Sequence, residues 1–94
     1  MTKAYLTLIN KALAKGLTIS VFDGEEWQVK RSTSPKAIKE AIESVDESQL
    51  RLRDKAGEIV GWALIILDCE PDCMVADHTY NPLMCELCGT SYED

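Results

Sequence analysis

The longest apolar stretch of this 94-residue chain is residues 59–67, nine positions from Ile59 to Leu67 closed off by Glu58 and Asp68. It is half the roughly 18 residues that a membrane-spanning helix requires, and it reads as a strand buried between neighbours. The segment before it supplies one neighbour. Leu50 and Leu52 alternate with Arg51 and Arg53 over residues 49–54, and Lys55-Ala56-Gly57-Glu58 makes a turn. Residues 49–67 are therefore predicted to form a hairpin whose second strand is central.

The upstream half has the same architecture without the same residues. Leu6, Ile9 and Leu13 recur at helical spacing over residues 2–15, and Gly16 stands where a glycine ends a helix. Leu17, Ile19 and Val21 then alternate with polar residues, Asp23-Gly24 supplies a turn, and Trp27, Val29 and Arg31 alternate beyond it. Ser34-Pro35 is an N-cap with proline at the first helical position, and Ala37, Ile38, Ala41 and Ile42 form the stripe of a second helix ending near Val45. The order helix, hairpin, helix, hairpin closes economically as an α+β fold. It implies a four-stranded antiparallel sheet built from two helix-hairpin units, with both helices on one face. The length allows one modest core, so residues 1–94 are read as a single domain. Residues 68–94 follow as a cysteine-containing tail, with a short strand near residues 75–80 and a helical turn over residues 82–88.

All four cysteines lie in that tail, spaced Cys69-x3-Cys73-x11-Cys85-x2-Cys88, with Gly89 directly after the last. Two such pairs can bring four thiolates to the corners of a tetrahedron around Zn²⁺, and His78 is a substitute ligand for Cys69 or Cys73. Reduced thiols without a ligand, and disulfides under oxidising conditions, are the alternatives. The N-terminus lacks a secretory h-region, which points to the cytosol and so to reduced or metal-bound cysteines. A redox or nucleophilic role for Cys85, Cys88 and His78 is a weaker expectation, because the surrounding acids oppose a thiolate.

Charge is unevenly placed. Residues 1–22 sum to +3, residues 23–48 to −3, residues 49–67 to +1 and residues 68–94 to −7, for a net −6. An acidic tail of this kind disfavours phosphate, so no nucleic acid and no membrane is expected as a partner. The acids Asp23, Glu25 and Glu26 at the first hairpin tip are candidate interface residues, although Lys30, Arg31, Lys36 and Lys39 interrupt any continuous negative stripe. Trp27 and Trp62 sit in register with apolar neighbours and are expected in the core; an exposed Trp27 would instead mark the second sheet face as a binding surface. No Gly-rich phosphate loop, Ser-His-Asp grouping or paired-carboxylate pattern is present.

The segment Thr18-Ile19-Ser20-Val21-Phe22-Asp23-Gly24-Glu25-Glu26-Trp27-Gln28-Val29-Lys30-Arg31-Ser32-Thr33, with Val60-Gly61-Trp62 and Ala76-Asp77-His78-Thr79-Tyr80-Asn81, resembles a group of small proteins of tailed bacteriophages and prophages. The likeness covers most of residues 5–84. It implies a bacterial host cytoplasm and an accessory phage role, and it transfers no catalytic residue, since the group has no assigned activity. The expected function is a non-enzymatic module that binds a host or phage protein. The alternatives are a self-associating structural module with a zinc-stapled tail, which would make the chain a homo-oligomer, and a thiol-dependent enzyme.

Overall fold

A computed structural model describes residues 3–90 and 92, with residue 72 by its backbone alone. The elements are α1 (Ala4–Ala14), β1 (Thr18–Phe22), β2 (Trp27–Ser32), α2 (Pro35–Glu43), β3 (Glu47–Arg53), β4 (Ile59–Ile66), a short 3₁₀ turn (Pro71–Cys73), β5 (Val75–His78) and α3 (Pro82–Cys88). The two helix-hairpin units form as the periodicities require. Thr2, where the first helix was expected to begin, lies outside the described residues.

The expected four-stranded sheet with two helices is extended by the tail, giving five antiparallel strands in the order β2-β1-β3-β4-β5 and three helices. The extension has a physical cause: β4 would otherwise be an edge strand with one row of backbone groups unpaired. β5 covers that edge through Ala63↔His78 and Leu64↔Asp77. The tail is thus part of the domain rather than an appendage.

Alternation of side chains sorts the strands into two faces. Ile19, Val21, Leu50, Leu52, Ala63 and Ile65 are buried on the inner face, where they meet Tyr5, Leu8, Ile9 and Ala12 of α1, Ile38 and Ile42 of α2, and Met84 and Leu87 of α3. These side chains form one cluster, so all three helices lie on the same side of the sheet. α1 touches both α2 and α3, and Lys15 and Lys11 tie it to α3 through the Glu86 carboxylate and carbonyl.

α3 owes its position to two contacts. Asn81 caps it, accepting from Met84 N through Oδ1 at 2.8 Å while its Nδ2 donates to Val60 O of β4 at 3.2 Å. Gly61 then leaves the space that Met84 fills; a Cβ there would overlap the Met84 Sδ and Cγ. The second sheet face carries no helix among the described residues.

Candidate docking site on the open sheet face

The outward residues of the strands are Ser20 and Phe22 on β1, Gln49, Arg51 and Arg53 on β3, and Trp62 and Leu64 on β4, as the pairings Phe22↔Gln49, Ser20↔Arg51, Arg51↔Trp62 and Gln49↔Leu64 require. Trp27 joins them opposite Phe22. Both tryptophans therefore stand half-buried on the open face, and the expectation that they anchor the core is corrected. Their apolar neighbours in sequence occupy the opposite pleat. An amphipathic aromatic ring fits a half-covered surface as well as an interior.

A β-bulge supplies the charge. Ile19 pairs with Ser32 and Val21 with Val29, so Lys30 and Arg31 together oppose the single residue Ser20. In a regular strand these two successive side chains would point to opposite faces; the extra residue turns both towards the same basin. Arg31 takes the left-handed conformation at φ 49° to do so, and its backbone N–H donates to Ser20 Oγ at 2.9 Å. The basin, about 330 Å³, is lined by Ser20, Trp27, Lys30, Arg31, Arg51 and Arg53.

Beside it lies an aromatic well of about 300 Å³ between Phe22, Trp27, Gln49, Arg51 and Trp62. Phe22 and Trp27 pack with centroids 5.1 Å apart at 55°, and the Arg51 guanidinium lies 5.3 Å from the centre of the Trp27 ring. Trp62 Nε1 donates to Gln49 Oε1 at 3.2 Å. The backbone of Trp62 is clamped to the segment after β5, its N–H donating to Thr79 Oγ1 and its carbonyl accepting from Thr79 N. Arg51 belongs to both hollows and joins them.

Among the described residues no carboxylate compensates the four cations of this face. Ion pairs among the described residues are Lys15–Glu86 at 3.3 Å, between the end of α1 and α3, and Lys39–Glu43 at 3.5 Å within α2. None of Lys30, Arg31, Arg51 and Arg53 has a carboxylate partner among those residues. Arg53 Nη1 donates to Gly57 O at 3.1 Å, while its buried Nε finds no acceptor among the described residues. In a chain of net charge −6, acids could have been placed beside these groups.

The structure distributes the candidate site residues differently. Asp23 is a turn-forming group: its Oδ1 accepts from Glu25 N and Glu26 N, each at 2.8 Å, and its Oδ2 from Gln28. The Glu26 and Glu25 backbone donors hold its carboxyl below the usual range. Glu25 and Glu26 themselves project from the tip as exposed side chains.

Cys69 and Cys73 lie exposed after β4, while Cys85 is buried on α3 and Cys88 half-buried one turn further on. Among the described residues no three His, Cys, Asp or Glu side chains come together as a metal-sized group. His78 has Nδ1 against Thr79 O at 2.8 Å and Nε2 against Thr90 Oγ1 at 2.9 Å. Burial, and then the neighbouring Cys85, pushes the Cys88 thiol up to about 11, so it is protonated and poorly nucleophilic at neutral pH. Glu93 and Asp94, two of the tail's acids, lie outside the described residues.

No helix among the described residues is long and apolar enough to cross a membrane. No protein-family model, curated protein or solved structure matches the chain.

Proposed function

We propose that this chain is a non-enzymatic protein-binding module, an accessory protein of a phage or prophage, that docks a host or phage protein on the open face of its sheet. The observation that supports this most is the coincidence of two half-buried tryptophans with four cations that lack a carboxylate partner among the described residues, on the sheet face that none of the described helices covers. Half-buried aromatics beside arginine are the residues that dominate binding energy at protein interfaces. Holding four like charges together costs free energy that an isolated fold has no reason to accept.

A photo-crosslinking residue placed at Gln49, exposed within the well, is compared with the same residue at Lys36, exposed on α2. In a bacterial lysate the Gln49 position should yield a discrete protein adduct that the Lys36 position does not. Equal adducts from both positions, or none from either, would overturn the reading. An adduct with the mass of a second copy of this chain would replace it with self-association.

A further inference from the structure

Resting on that reading, we infer that the partner presents an acidic linear segment carrying one large apolar side chain, the apolar group seated between Trp27 and Trp62 and the carboxylates in the Lys30, Arg31, Arg51 and Arg53 basin. The two hollows adjoin through Arg51, so their occupants must lie close together along one chain. A well of about 300 Å³ is of a size to take one large side chain rather than a folded element. Guanidinium groups recognise carboxylates by paired hydrogen bonds, and three of the four cations are arginines.

The same surface suits a nucleic-acid strand less well. Trp27 is already covered by Arg51 at 5.3 Å and flanked by Phe22 at 5.1 Å, so its ring is a wall of the well and not a free platform for a stacked base. The cations are confined to β2 and β3. Further along the face Asp77 stands across from Leu64, and Glu47 across from Ile66. A phosphate backbone continuing in that direction would meet carboxylates, whereas a short acidic segment need not extend so far.

The overall negative charge does not cancel this local field. The tail's strand β5 lies four strand spacings, about 19 Å, from β2 with Lys30 and Arg31, and two spacings, about 10 Å, from β3 with Arg51 and Arg53. Screening at physiological ionic strength extends over only about 8 Å. The acidic edge also repels a segment bound in the reverse orientation, so polarity along the face fixes direction as well as affinity.

The two tryptophans are the only ones in the chain and both line the well, so intrinsic fluorescence reports on this face alone. The full chain is titrated with a blocked peptide of alternating aspartate and glutamate around one leucine, with its amide analogue of asparagine and glutamine, and with an oligodeoxythymidine. The expected result is saturable quenching or shift by the acidic peptide, at least about tenfold weaker for the amide analogue and in about 0.5 M salt. Lys30→Glu, at an exposed edge position with no ion-pair partner among the described residues, should weaken binding about tenfold. Arg51→Ala should do so as well, and the Lys30 variant keeps the test valid if Arg51→Ala disturbs the fold.

No saturable change, equal binding of the amide analogue, insensitivity to Lys30→Glu, or tighter binding of the oligonucleotide would each overturn the inference. A Gln49 crosslink to a protein without an acidic segment, or one formed equally well in high salt, would overturn it while leaving protein docking intact. Absence of any Gln49 adduct removes the docking reading first.

Discussion

At the scale of single residues, the Tyr5–Glu43 contact and the cysteines each have a measurable signature. Tyr5 is fully buried in the core, and its hydroxyl donates to the Glu43 carboxylate. Burial first, and that hydrogen bond second, push the phenol's pKa up, while the same bond, with Lys39 adding to it and desolvation opposing, holds Glu43 below its ordinary 4.5. A carboxyl held low in the fold contributes stability that is complete above its unfolded value and is lost as pH falls through the lower folded one. Tyr5→Phe should therefore cost no more than about 1 kcal/mol at neutral pH, because Glu43 remains solvated. The gap to the unsubstituted chain should close as the pH is lowered below about 4.5. Urea titrations at several pH values check this, and a gap constant down to acid pH would refute the assignment. The cysteines offer a second reading at this scale. Cys69 is exposed, whereas Cys85 is buried and the Cys88 thiol is pushed up to about 11. Alkylation followed by mass spectrometry at neutral pH should modify Cys69 well before Cys85 and Cys88, which should react only on unfolding. Parallel labelling of Cys69 and Cys88 would show that α3 opens readily.

At the scale of elements, β5 adds the fifth strand and α3 the third helix against the sheet. The helical turn over residues 82–88 could be read from Pro82 at the first position and Gly89 after the last, which takes φ 72° as the end of the helix requires. Its docking against β4 could not, because the fit of Met84 over Gly61 joins residues 23 positions apart and leaves no local pattern. Gly61→Ala should destabilise the chain by roughly 1–3 kcal/mol through overpacking against Met84. Met84→Ala in the same chain should recover part of that loss, the sign of coupling a double-mutant cycle detects. Strict additivity would mean that Met84 does not sit on Gly61. The bulge in β2 is comparable. Alternation at Val29 and Arg31 correctly indicates a strand, but the extra residue opposite Ser20 is set by the partner strand, so the shared direction of Lys30 and Arg31 appears only once β1 and β2 pair.

At the scale of the whole molecule, charge and shape are separated across the sheet: the open face carries the cations on β2 and β3 and the tryptophans on β2 and β4, Asp77 stands at the β5 edge, and all three helices lie behind. If the cations are held for binding rather than stability, Lys30→Glu should leave the thermal midpoint unchanged or raise it slightly, since it relieves repulsion from Arg31, Arg51 and Arg53. A clear fall in the midpoint would mark Lys30 as a structural residue and remove it from the site. Local periodicity was sufficient for α1, the two hairpins and α2, because each of these elements shows its buried stripe within a few residues of chain. Periodicity also indicates which residues share a face of a strand; it does not indicate which face the helices will cover. That choice depends on the summed packing of Tyr5, Leu8, Ile38, Ile42, Met84 and Leu87 against one side of the sheet. Trp27 and Trp62 read as core residues from their apolar neighbours, and only the placement of the helices leaves them on the open side. The sequence by itself determined the elements, their order and the charge of each segment, since these follow from contacts between near neighbours. The tertiary structure alone decided which side chains face solvent together, because burial is a property of the assembled layers.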